Sequence, residues 1–205
     1  MSLKLRVRSR WRDKRRERSL EENATSLAYA IWEIALAATK NLHAEDFQYD
    51  DDSQRVGVLA EYLIFLAHVA DRLVYESIEE AERVEFVSAL AAQLARHYQR
   101  NLEEILGRDD YRGGFIEKLN ARNAEYSETN FENGRPGYQT LRVLGEKVQD
   151  VMGMTQTNRW VIQQVMDLDA PETVRHLKRA LDDLFGSSGA DFEREQPPGT
   201  VMGPD

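Results

Sequence analysis

This chain has no cysteine among its 205 residues. Disulfides, thiolate zinc sites, iron–sulfur clusters and cysteine nucleophiles are thereby excluded. A cysteine-free chain also suits a cytoplasmic protein, which is the location expected here. No run of about 18 uncharged apolar residues occurs, so no membrane-spanning helix is expected. The longest candidate, Tyr62 to Ala70, includes His68 and stops at Asp71 and Arg72. No apolar stretch follows the basic N-terminus, so no secretory signal is read there. The serines of that leader suit a transit peptide, but Asp13 and Glu17 count against one. Phosphate-loop, dinucleotide-turn, Gly-x-Ser-x-Gly and HExxH patterns are all missing. The chain has four histidines, and the residues three places before them are Lys40, Phe65, Leu94 and Thr173. None is glutamate, so the Glu-x-x-His signature of carboxylate-bridged di-iron bundles is absent. Asp50–Ser53 is acidic but lacks the ligand spacing and glycine of a calcium loop.

What the chain does have is a division of charge. Residues 1–18 carry nine Lys or Arg against Asp13 and Glu17, a balance of +7, while the whole chain is −9. The remaining residues therefore carry −16. Such a split says that the leader is drawn to something negative and that the body repels it. Arg6, Arg8, Arg10, Arg12, Arg15 and Arg16 supply most of the attraction, and Trp11 among them is a candidate anchor for a base or a surface. Arginines neutralise phosphates with release of counterions, so nucleic acid is one expected partner. An acidic protein surface ranks first, because the acidic body would repel a polyanion over a broad contact. The acidic connector at 45–52, on the same chain or on a twin subunit in a homo-oligomer, is a candidate of that kind. An anionic membrane surface ranks last.

Hydropathy periods place the rest of the chain in an all-α bundle of about five or six helices, organised as an arm (1–18), a bundle (19–186) and a disordered tail (187–205). Ser19 followed by Glu22 is a capping-box pattern, and the stripe Leu20, Ala24, Leu27, Ile31, Ala35, Ala38, Leu42 follows it. After the acidic connector 43–53, with Asp52 or Ser53 as cap, a second helix is predicted over 54–80. It is apolar nearly all round between Leu59 and Val74, the mark of a central helix. A third is predicted over 81–106 with the stripe Val84, Val87, Ala91, Leu94, Tyr98, Leu102, Ile105, closed by Gly107. Residues 107–114 read as a loop and 115–130 as a helix with almost no core stripe. Asn133 to Gly137 is turn chemistry. A long helix is predicted over 138–167, interrupted at Thr155–Arg159 by a polar stretch read as a solvent-facing turn, with a kink or a polar contact between helices, which Gly153 would permit, as the alternative. Asp169 and Glu172 read as the cap of a last helix carrying Val174, Leu177, Leu181 and Leu184 and ended by Gly186.

Within this frame one polar row stands out. Glu61, His68, Asp71 and Tyr75 are spaced to share one side of the most apolar helix. Glu33 on the first helix and His97 on the third are the groups expected to face them. Carboxylates and imidazoles converging from several helices are the raw material of an acid–base or metal site, so Glu33, Glu61, His68, Asp71 and His97 form the alternative, enzymatic reading. A histidine satisfied by its neighbours in the core explains the same pattern and is preferred. No cofactor is indicated by any motif. The polar helix 115–130, with Asn120, Arg122, Asn123 and Tyr126, needs something besides its own stripe to hold it in place.

Overall fold

The structure is a computed structural model that describes residues 19–75 and 77–185. The arm, the tail and Gly186 lie outside the described residues. Helix α1 (Leu20–Ala44) begins where its cap pattern placed it: Glu22 N–H donates to Ser19 Oγ at 3.1 Å, and Ser19 N–H donates to Glu22 Oε2 at 3.0 Å. Two of the otherwise orphaned amides at the helix start are thus satisfied reciprocally. Ala24, Leu27, Ile31, Ala35, Ala38 and Leu42 are buried, as the stripe required.

Helix α2 (Asp52–Val74) is capped by Asp51, one residue before the expected candidates, and ends well before position 80. From Val58 to Phe65 every residue is buried, and the helix packs against α1 and four later helices, so it is the axis of the bundle. Helix α3 (Glu80–Leu106) closes on Gly107, whose φ of 92° an L-residue adopts only under strain. Its buried face is Phe86, Leu90, Leu94, Ala95, Tyr98 and Leu102, whereas Val84 and Ile105 are exposed. The expected stripe was rotated at both ends, because Phe86 and Val87 both fit a helical period from Leu94.

Residues 111–114, expected in a loop, belong to helix α4 (Tyr111–Ser127), which starts where Asp110 Oδ1 accepts the Gly113 N–H at 3.0 Å. An Asx cap overrides the low helix propensity of two glycines there. Strands β1 (Phe131–Glu132) and β2 (Arg135–Pro136) then pair antiparallel around Asn133 and Gly134, both at positive φ. Asn-Gly is the pair that adopts this hairpin turn with least strain.

The long helix expected over 138–167 is two helices. α5 (Tyr138–Met152) stops at Gly153 with φ 75°, and the chain re-enters a helix at α6 (Val161–Gln164). The polar stretch between them is not wholly solvent-facing. Asn158 is only 1% exposed: its Oδ1 accepts from Gln48 N–H at 3.1 Å, and its Nδ2 donates to Gln48 O at 3.0 Å and Met152 O at 3.2 Å. One amide side chain thereby fastens the α1–α2 connector to the end of α5. Asn158→Ala should cost about 1–3 kcal/mol, because it strands the buried Met152 carbonyl and removes both bonds to the part-buried main chain of Gln48. Urea unfolding checks the magnitude, and faster hydrogen exchange at Gln48 checks the mechanism.

After α6 the helix continues without a break through a π turn (Val165–Asp169) into α7 (Ala170–Phe185). Pro171 explains the irregularity: it has no N–H for the carbonyl of Asp167, and its ring crowds that carbonyl. Widening the preceding turn lets the helix pass the proline, so Asp169 does not start a new helix as its cap pattern suggested. Val174, Leu177 and Leu181 face the core, and Leu184 is half-buried. Among the described residues, no helix is long and apolar enough to cross a membrane.

Candidate functional site

The row on α2 points outward in sequence order along the neighbours of that helix. Glu61 is 1% exposed and is held by α4: Arg122 Nε donates to its Oε2 at 3.0 Å, Arg122 Nη2 donates to its Oε1 at 3.2 Å, and Lys118 Nζ lies 3.4 Å from Oε1. Arg122 also bonds Glu125 at 2.8 Å, and Glu125 meets Lys147 of α5 at 2.9 Å. This chain of alternating charges ties α2, α4 and α5 together. It answers what orders the polar helix: an internal ion-pair network, with Phe115, Leu119 and Tyr126 as its few buried anchors. Burial pushes the Glu125 carboxyl up, but Lys147 and Arg122 outweigh it and hold the group below the usual carboxylate range.

His68 lies two turns further along, half-buried, with its ring stacked on that of Tyr126 at 5.0 Å and 23°. Burial lowers its pKa to about 4; Asp71 opposes the shift and Arg72 adds to it. The imidazole is therefore neutral at pH 7 and far from the range that suits a general base. Asp71 pairs with Arg83 of α3, and Tyr75 is flanked by the guanidinium groups of Arg72 and Arg83 at 5.2 and 5.1 Å from its ring. Two buried side-chain atoms of α4 have no hydrogen-bond partner among the described residues: the hydroxyl of Tyr126, a residue 1% exposed, and Asn123 Oδ1.

The other two residues of the enzymatic reading lie elsewhere. Glu33 is on the exposed side of α1, and the His97 ring meets Trp32 of α1 at 6.2 Å. Glu61, His68 and Asp71 share a helix side but face Arg122, Tyr126 and Arg83 respectively. Among the described residues, no three His, Asp or Glu side chains are grouped to hold a metal ion. The arm residues Arg6, Arg8, Arg10, Trp11, Arg12, Arg15 and Arg16 lie outside the described residues.

A second buried polar centre escaped the sequence. Asp169, 3% exposed at the end of the π turn, accepts from Asn41 Nδ2 at 2.9 Å, Gln164 Nε2 at 3.2 Å and the Tyr62 hydroxyl at 3.2 Å. Burial raises its pKa, and these three donors oppose that rise. It joins α1, α2 and the π turn through neutral donors. Asn41 and Tyr62 stand 128 and 107 positions away in the chain, so no local spacing could have revealed it.

No protein-family model, curated protein or solved structure matches this chain.

Proposed function

We propose that this chain is a macromolecule-binding helical protein whose arm, residues 4–18, grips an acidic protein surface. The observation that carries the reading is the split of +7 in residues 1–18 against −16 in the remainder. The bundle supports it in two ways. Its central charged row is spent on internal pairs, Glu61 with Arg122 and Asp71 with Arg83, and so holds the helices together. The reciprocal cap at Ser19 and Glu22 fixes the point from which the arm departs. An acidic body with a cationic leader is suited to capture, because long-range attraction to the leader raises association rates while the body disfavours broad contact with a long polyanion. A cytoplasmic location accompanies this reading.

A small-molecule site around His68 has one observation in its favour, the hydroxyl of Tyr126, whose ring stacks on His68 and which has no hydrogen-bond partner among the described residues. Its flanking groups are a neutral imidazole and an ion-paired carboxylate, so the binding reading is preferred. Fluorescence anisotropy of a labelled polyglutamate peptide, titrated with the full chain and with a chain lacking residues 1–18, tests the proposal. Loss of at least about tenfold in affinity on truncation is expected from removing seven net positive charges. Equal affinity would overturn it. Tighter binding of a DNA duplex than of polyglutamate, with the same dependence on the arm, would reassign the partner to nucleic acid.

A further inference from the structure

The sulfur of this chain is all thioether. With no cysteine to react first, a two-electron oxidant meets only methionine among the sulfur groups, and there are five of them. Met1 and Met202 lie outside the described residues. The other three differ sharply in access. Met152 is 0% exposed at the end of α5, and Met166 is 8% exposed in the π turn, whereas Met154 is 78% exposed.

The backbone explains how two methionines only two positions apart have such different surroundings. Gly153 ends α5 with φ 75°, a conformation that favours glycine. The helical register stops there, so Met152 stays on the core face and Met154 stands in solvent at the head of the polar connector. A second group is already aimed at the exposed sulfur: Gln149 Nε2 donates to Met154 Sδ at 3.5 Å. A thioether is a weak acceptor. A sulfoxide is polar, and its oxygen offers the same amide a far better one. The connector itself is fastened by Asn158 to Met152 O and Gln48 O, bonds in which the Met154 side chain takes no part.

We propose that Met154 is a site of reversible oxidation by hydroperoxides. The thioether sulfur attacks one peroxide oxygen, the O–O bond breaks and an S–O bond forms. The other oxygen takes up the proton and leaves as water or an alcohol. Sulfur loses two electrons and the peroxide gains them. Gln149 Nε2 then donates to the new oxygen. A sulfoxide reductase restores the thioether: the oxygen leaves as water while a dithiol is oxidised to a disulfide. Because the modified atom lies outside the core, the fold carries the change without unfolding. This inference is independent of what the arm binds.

Brief treatment of the full chain with hydrogen peroxide, then tryptic digestion and fragment-ion mass spectrometry, tests it. Met152 and Met154 share the tryptic peptide 148–159, so recovery is equal for both. One oxygen should be gained at Met154 at least about tenfold faster than at Met152 or Met166, because susceptibility follows exposure. Met154→Leu should abolish the fast gain in that peptide. The oxidised chain should keep the urea midpoint of the parent. Its Gln149 side-chain amide protons should exchange with solvent about threefold more slowly, until a sulfoxide reductase with dithiol restores the parent rate. Comparable rates at Met152 and Met154 would overturn the proposal. So would a lowered midpoint, which would make the oxidation a lesion of the fold. An unchanged Gln149 amide, or a sulfoxide that the reductase leaves in place, would overturn it as well.

Discussion

Arg122→Met should destabilise the bundle by about 3–5 kcal/mol, the range for removing one partner of a buried ion pair. Glu61 sits at the centre of α2, closed off from solvent, and Arg122 supplies both of its short hydrogen bonds. Without the guanidinium, the carboxylate keeps, among the described residues, only Lys118 at 3.4 Å, from a side chain 35% exposed. The stranded charge, not the lost attraction, dominates the penalty. The double change Glu61→Leu with Arg122→Met should therefore recover most of it, because an apolar pair of similar volume leaves nothing unsatisfied. Urea unfolding of the two single variants and the double variant closes the cycle. A loss below about 1 kcal/mol for Arg122→Met would mean that Glu61 finds solvent, and that the network does not order α4.

His68 should make the protein lose stability on mild acidification. Its pKa is 6.5 in an ordinary setting and about 4 in the fold, chiefly through burial. Above pH 6.5 the ring is neutral in folded and unfolded chains alike, and its contribution is constant. Between pH 6.5 and 4 the unfolded chain takes up a proton that the folded one refuses. Stability therefore falls as pH falls and levels off below the folded value. The shift corresponds to about 3 kcal/mol in all. His68→Phe keeps a ring against Tyr126 and removes the titration. Its stability relative to the parent should rise by about that amount between pH 7 and pH 4, while the raised carboxyl of Asp169, present in both, cancels. Parallel pH profiles would show that His68 is protonated in the fold near its ordinary value.

The parts of this architecture written in local chemistry were legible in the chain. Ser19 with Glu22, Gly107, Asn133-Gly134 and the apolar girth of α2 each act over a few residues, and each did what its chemistry dictates. The errors arose where a distant partner decided the outcome. Asn158 was hidden because its partners include Gln48, on a separate connector. Asp169 resembled a cap because only its immediate neighbours were visible, whereas Asn41 and Tyr62 claim its oxygens. On α3, two helical registers fitted equally well, and tertiary packing chose Phe86 over Val84. For the polar row, spacing placed Glu61, His68 and Asp71 on one side correctly. It could not show that α4 supplies a guanidinium to the first and an aromatic face to the second, which turns a row of reactive groups into joints between helices.

The most direct test of the account keeps the arm at full length and removes its charge. Arg6, Arg8, Arg10, Arg12, Arg15 and Arg16 are changed together to Gln, and the affinity for polyglutamate is followed across a salt series. The unaltered chain should bind with an affinity that falls steeply as salt rises, and the neutralised chain should bind weakly with a nearly flat profile. Two superimposable profiles would contradict the claim that opposite charge on leader and body is what this molecule uses to hold its partner.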